Sequence, residues 1–271
     1  MRNELRASIG ALVVTAFAPL CATQAHADRA TECTAIDICY CVEADFKPAI
    51  DTNVAKIRML LAEQRSAGKA IGYMSIPLST AGGSYFGVNG EIAAKTKAKV
   101  EKRFGEKAVY LLNPGNADFA LPAKANGADY MLQWTRVLEG RGLGEDFDFF
   151  YFTGPTDFAG ALGLTGEADM EKIDGIFDRR LAADDGLRKA VEQGKVSKGT
   201  FRNYYGLRAS IVFSYGSHDE WNIARILNER RRGATAYGLA NQISIFYDGR
   251  PVVPAAYELP VASGDVGRCI N

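Results

Sequence analysis

Histidine is nearly absent from this chain. Its 271 residues include two, His26 and His218, too few to build a histidine-ligated metal centre. Neither sign of charge dominates: 32 Lys and Arg balance 32 Asp and Glu. That balance excludes the overall basic surface that a nucleic-acid polymer or an anionic membrane would call for. Beyond the amino terminus no apolar run is long enough to span a bilayer. The patterns G-x-x-x-x-G-K-[ST], G-x-G-x-x-G and G-x-S-x-G are all missing, so the common phosphate-binding loops and the usual serine-hydrolase elbow are excluded as well. There is no internal repeat and no low-complexity tract.

What is present begins with an export signal. "MRNELR" carries two arginines, "IGALVVTAFAPLCA" is apolar but short, and "AHA" at 25–27 is a small-x-small cleavage site. The expected division is a signal peptide over residues 1–27 and one α/β domain over 28–271, periplasmic or secreted, with no membrane attachment once the signal is removed. Cys21 lies in "APLC", a poor lipidation box because proline and leucine occupy positions where small residues are expected. Four cysteines remain. Cys33, Cys39 and Cys41 crowd into "CTAIDICYC", and Cys269 stands near the carboxyl end. An even count in an exported chain predicts two disulfides, and every pairing of the four ties Cys269 to the amino-terminal cluster. A zinc site is the alternative, but no histidine lies near.

Along the chain, apolar runs of strand length alternate with helical patterns. "AIGYMSIPL", "KAVYLLNPG", "FDFFYFTGP", "RASIVFSYG" and "NQISIFYDG" read as five strands. "FKPAIDTNVAKIRMLLAEQRSAGKA" reads as a helix whose buried face is Ile50, Val54, Ile57, Leu60 and Leu61. "VNGEIAAKTKAKVEKRFG", "ADYMLQWTRVLEG" and "HDEWNIARILNERRRG" read as further helices, residues 156–207 as a helical insertion, and the tail from Arg250 as irregular. The alternation predicts an open, mainly parallel five-stranded sheet with helices on both faces, doubly wound in the flavodoxin or Rossmann manner. Ligands of such sheets bind beyond the carboxyl ends of the strands. That rule selects the loops "PLSTAGGSYFG", "NPGNADF", "TGPTDF" and "YGSHDEW", expected to share one crevice. From these loops Ser79, Gly82, Gly83 and Ser84 become candidate binding residues.

The densest chemistry is "GSHDE" at 216–220. Ser217 with Glu220 three residues on has the form of a capping box, which alone accounts for both. The functional reading is a carboxylate held against the aromatic Trp221, able to attack or shield a sugar carbon of oxocarbenium character. His218 or Asp219 would then move the leaving group's proton. A Ser84, Asp157, His218 order suits a hydrolase triad only if His218 can leave its helix start. Metal binding by residues 218–220 is disfavoured, since helical ligands come four apart rather than adjacent. The basic run "NERRRG" falls at a helix carboxyl terminus, where cations suit the dipole.

Four pieces of the sequence resemble the nucleoside 2-deoxyribosyltransferase family: "GYMSIP" at 72–77, which includes Ser75; "LLNPG" at 111–115; the pair Tyr130-Met131; and Gly216-Ser217-His218-Asp219-Glu220 with the spacing G-[ST]-x-x-E. In that family the glutamate helix closely follows the strand after the "YM" helix. Here the insertion and the run 208–216 stand between. The resemblance implies a small doubly wound enzyme that cleaves N-glycosidic bonds without metal or cofactor. Glu220 would be the nucleophile and Ser217 the turn residue. Tyr85, Asn89 or Asn113 would bind sugar hydroxyls or a phosphate, Trp221 or Tyr130 would stack on the base, and Asp157 would be a second carboxylate. The expected function is therefore an exported hydrolase or transferase acting on a nucleoside- or nucleotide-like small molecule. A non-catalytic binding protein for such a ligand and a different exported hydrolase are the alternatives.

Overall fold

The computed structural model describes residues 28–78, 81–234 and 241–270. The export signal over 1–27 and the candidate Ser79 lie outside the described residues. The chain begins with a hairpin that sequence reading missed, β1 (Arg29–Cys33) and β2 (Cys39–Glu43), antiparallel with Cys33 opposite Cys39. A disulfide joins that pair, and a second joins Cys41 to Cys269, 228 positions away. All four cysteines are thereby consumed as disulfides, which overturns the zinc alternative.

Helix α1 (Lys47–Ser66) follows, burying Ile50, Val54, Ile57 and Leu61, with Leu60 partly buried beside them. Then come β3 (Ala70–Ser75), α2 (Phe86–Phe104), β4 (Val109–Leu112), α3 (Gly127–Glu139) and β5 (Phe149–Phe152). The predicted insertion is helical: α4 (Pro155–Leu162), α5 (Asp169–Ala183), α6 (Asp185–Glu192) and α7 (Lys198–Leu207). Helix α8 (Tyr215–Gly233), β6 (Ser244–Tyr247), the two-residue β7 (Arg250–Pro251) and the short α9 (Pro254–Tyr257) complete the order.

The sheet runs β4-β3-β5-β6-β7, parallel except for β7. Apart from that edge, the order has the form 2-1-3-4 and reverses direction between β3 and β5, the usual ligand position in a doubly wound sheet. The period-2 alternation of the strands sorts their side chains between two cores. Ile71, Tyr73, Leu112, Phe150, Phe152 and Ile245 face α1, α3 and α8. Met74, Val109, Leu111, Phe149 and Tyr151 face α2 and the insertion. Among the described helices none is long and apolar enough to cross a membrane.

One predicted strand is not a strand. Within "RASIVFSYG", Ile211–Phe213 is a 3-10 turn opened by Ser210, whose hydroxyl accepts from Val212 N at 3.2 Å. The run is β-branched and apolar, but two local serine caps, Ser210 and Ser214, compete for its backbone. β3 and β6 already flank β5, so no sheet position beside it is open. The fifth strand is instead β7. Only the helical insertion and this turn therefore separate β5 from α8.

Candidate active site

Helix α8 starts earlier than the sequence suggests. Its N-cap is Ser214, whose hydroxyl accepts from Ser217 N at 3.3 Å. The expected capping box of Ser217 and Glu220 is therefore not formed, and Glu220 stands in the second turn rather than the first. From there it points at the sheet. The Tyr73 hydroxyl, from β3, donates to Glu220 Oε1. Ser75 lies beside the carboxyl and helps to hold its pKa down, but without full hydrogen-bonding geometry. Glu220 Oε2, Ser75 Oγ and Ser217 Oγ are buried and have no hydrogen-bond partner among the described residues. Ser217 and Glu220, three apart, share one face of α8.

Glu220 has an unusual electrostatic setting. Burial pushes its carboxyl up to about 7; Ser75 and Tyr73 oppose that rise, and the neighbouring Asp219 adds to it. Tyr73 is itself raised well above its ordinary value, by burial and then by Glu220. A buried carboxyl without a cation, near neutrality and half-satisfied, is the kind of group that functional sites maintain and cores avoid.

The neighbours of Glu220 on α8 face other partners. Both ring nitrogens of His218 lie 3.0 Å from backbone carbonyls, those of Ala262 and Val212. Asp219 accepts from Gly264 N at 3.2 Å and Asp265 N at 3.0 Å, and burial raises its pKa. Trp221 packs edge-on against Phe152, with ring centroids 4.8 Å apart. Gly216 packs beside the Met131 sulfur.

The remaining candidates do not converge on Glu220. The glycine loop is pinned by the insertion instead. At Gly83 (φ 101°) a Cβ would fall 2.3 Å from Thr200 O, while Gly82 (φ 69°) faces Tyr204. Tyr85 donates to Asp184 at 2.8 Å, Asn89 accepts from Tyr205 at 2.7 Å, and Ser84 is buried beside Tyr204. Asn113 closes its own turn onto Gly115 N at 2.8 Å and lines a separate groove of about 510 Å³ with Lys97, Tyr110 and Asn116. The Tyr130 hydroxyl accepts from Leu121 N at 3.2 Å. Asp157 lies on the opposite face of the sheet, between the Tyr151 hydroxyl at 3.0 Å and Lys99 Nζ at 3.0 Å. The expected single crevice is therefore not assembled, and Ser84, Asp157 and His218 do not form a triad.

Sequence reading missed Tyr73. A tyrosine inside an apolar strand looks like core, although the "GYMSIP" resemblance includes that residue. Among the described residues no cluster of His, Cys, Asp and Glu could hold a metal ion. Compared with protein-family models, with curated proteins and with solved structures, the chain matches none.

Proposed function

We propose that the protein is an exported enzyme that cleaves N-glycosidic bonds of nucleosides or nucleotides, with Glu220 as the nucleophile. The observation that carries this reading is the Glu220 carboxyl itself. It is buried, is held at Oε1 by Tyr73, and among the described residues has no cation beside it and no hydrogen-bond partner at Oε2. In this mechanism Oε2 attacks the anomeric carbon and the base departs with the bonding electrons, taking a proton from water. The resulting glycosyl ester is then opened by water or by a second base. Tyr73 holds the non-attacking oxygen and so fixes the carboxylate plane. The hydroxyls of Ser75 and Ser217 are the groups at hand to receive sugar hydroxyls. The reading is further supported by the position of Ser75 at the carboxyl end of β3, beside the reversal of strand order. It is also supported by the absence of a strand between β5 and the glutamate helix. Two disulfides suit an oxidising compartment, in keeping with export.

A second reading, ligand binding without turnover, is favoured by the groove beside β4, which lies away from Glu220 and is lined by Lys97, Asn113 and Asn116. The test incubates the mature chain with a panel of nucleosides, nucleotides and NAD and measures free base. The enzyme reading expects base release that Glu220→Gln abolishes. Base release at the wild-type rate by Glu220→Gln ends it. Binding without release, lost in Asn113→Ala and kept in Glu220→Gln, establishes the second reading instead.

A further inference from the structure

The two edges of the sheet are closed to further pairing by different devices. An edge strand offers unpaired N–H and C=O groups to any other chain, and folds blunt it with proline, with very short strands or with charged side chains. At one edge stands β7, two residues long, whose Pro251 has no N–H. At the other stands β4, four residues long and paired, among the described strands, only with β3. Successive residues of such a strand turn their backbone groups alternately to the neighbouring strand and to the outside. Ala70 N, at the start of β3, donates to Ala108 O. Ala108, Tyr110 and Leu112 therefore face β3, while Val109 and Leu111 face outward.

The outward groups are held by the adjoining turns and by one ion pair. Val109 N donates to Gly105 O at 3.0 Å, and Asn113 O accepts from Asn116 N at 3.3 Å. Leu111 differs, because side chains of α2 take both its backbone groups. Glu101 Oε1 accepts from Leu111 N at 2.9 Å, and Lys97 Nζ donates to Leu111 O at 2.9 Å. The two side chains stand four apart on the helix and also pair with each other. The Lys97 ammonium lies 4.2 Å from the centre of the Tyr110 ring, which adds a cation–π contact. Their side chains are only 27% and 17% exposed, unlike the solvated surface pairs that contribute little. Lys97 and Glu101 thus supply the donor and the acceptor that a further strand would supply. Space for such a strand is present. The groove of about 510 Å³ runs beside the pair, and the residues of α2 that line it include the small Gly90, Ala94 and Ala98.

We infer that β4 is a pairing edge complementary to a second copy of this chain, and that the Lys97–Glu101 pair is the guard that keeps it closed. The occupant follows from the groups presented. Leu111 turns both its N–H and its C=O outward, so in antiparallel register it meets Leu111 of a second copy and the two exchange both bonds. Such a contact is isologous, closes on a two-fold axis and joins the two sheets edge to edge. Opposite charges four residues apart on one helix are likewise self-complementary about that axis, so a second copy brings no net charge to the interface. The inference does not depend on the chemistry of Glu220.

The test measures self-association of the full-length mature chain by sedimentation velocity over a concentration series, with hydrogen exchange of the Leu111 amide read at each concentration. Wild type is expected to stay monomeric. So is Lys97→Arg/Glu101→Gln, which keeps a donor for Leu111 O and an acceptor for Leu111 N. Lys97→Ala/Glu101→Ala is expected to dimerise at least about tenfold more tightly than wild type, the worth of the two backbone bonds that the copies exchange. Its Leu111 amide should exchange faster than in wild type when dilute and regain protection as the concentration rises. Should that variant fail to fold, Lys97→Glu/Glu101→Lys carries the test. It keeps the charges and the spacing but turns an acceptor toward Leu111 O and a donor toward Leu111 N, so the same dimer is expected. Monomers in both unguarded variants overturn the inference, as does a dimer whose Leu111 amide stays unprotected. Wild type that dimerises as tightly as the alanine variant overturns the guard. So does a charge-reversed variant that stays monomeric where the alanine variant pairs, since charge rather than the two edge bonds would then keep the copies apart.

Discussion

The sheet carries two tyrosine–carboxylate pairs, one on each face, and they differ in how fully the carboxylate is satisfied. On the insertion side, Asp157 takes the Tyr151 hydroxyl on both oxygens at 3.0 Å, Lys99 at 3.0 Å and Gly154 N at 3.3 Å. On the α8 side, Glu220 takes the Tyr73 hydroxyl on one oxygen, while the other has Ser75 nearby but no full hydrogen bond among the described residues. The first pair closes the start of α4 and leaves no lone pair idle. The second keeps a buried carboxyl half-satisfied, which costs stability and is kept in proteins chiefly where chemistry needs it. Both carboxylates were candidates on sequence grounds, and burial alone does not separate them. The count of partners does.

The sharpest way to break the comparison is to neutralise each carboxyl in turn. Glu220→Gln is expected to lower base release by at least about a thousandfold, roughly 4 kcal/mol of barrier, because an amide cannot act as the nucleophile. In Asp157→Asn the turnover per folded molecule should stay within a few-fold of wild type. Steady-state rates normalised to folded protein decide the matter, and equal losses in the two variants would erase the distinction.

The next effect is on stability and its pH dependence. Glu220 has a folded pKa of about 7, above its unfolded value of 4.5. The folded state therefore holds the proton more tightly, and wild-type stability falls as pH rises from about 4.5 to 7. Glu220→Gln should consequently be the more stable protein at pH 8.5, by up to about 3 kcal/mol, with the gap shrinking to under about 1 kcal/mol near pH 5. Denaturant midpoints at the two pH values measure this directly. A Gln variant less stable than wild type at pH 8.5 would mean that the carboxylate is a structural partner like Asp157.

Asp157→Asn is expected to move the other way, destabilising by about 2 kcal/mol at pH 7, since it removes the charge that pairs with Lys99 and puts an amide donor where an oxygen accepts from Gly154 N. Its folded-state loss should appear in thermal melts with the rate profile intact. The smallest effect is also the most specific. The Tyr73 hydroxyl lowers the Glu220 pKa, so in Tyr73→Phe the rise of kcat/KM with pH should shift to higher pH. Tyr151→Phe should leave that midpoint where it was.

Much of the fold was legible because it is written in short-range patterns. Four of the five predicted strands, the helix faces and the helical insertion follow from period-2 and period-3.6 spacing and from glycine stops. The fifth strand failed because Ser210 and Ser214 cap the backbone locally, a competition that strand-like composition conceals. The hairpin at Arg29–Glu43 was hidden behind its cysteines. At the candidate site, Glu220 was singled out by G-S-x-x-E. Its helix start was misjudged because two serines, Ser214 and Ser217, stand three residues apart and either can cap. Tyr85, Asn89 and Asn113 carry the polar chemistry expected of a site but spend it on the insertion and on a separate turn.

By itself the sequence determined the alternation of strands and helices, the even complement of cysteines and the carboxylate-rich start of α8. These are properties of neighbours in the chain. Tertiary structure alone decided that Tyr73 meets Glu220 across 147 positions, that Asp157 falls on the other face of the sheet, and that Cys269 reaches Cys41 by way of α8. The reason is physical. Which face a strand residue occupies is set by register and strand order, and those are fixed by packing both cores at once, which no local pattern encodes.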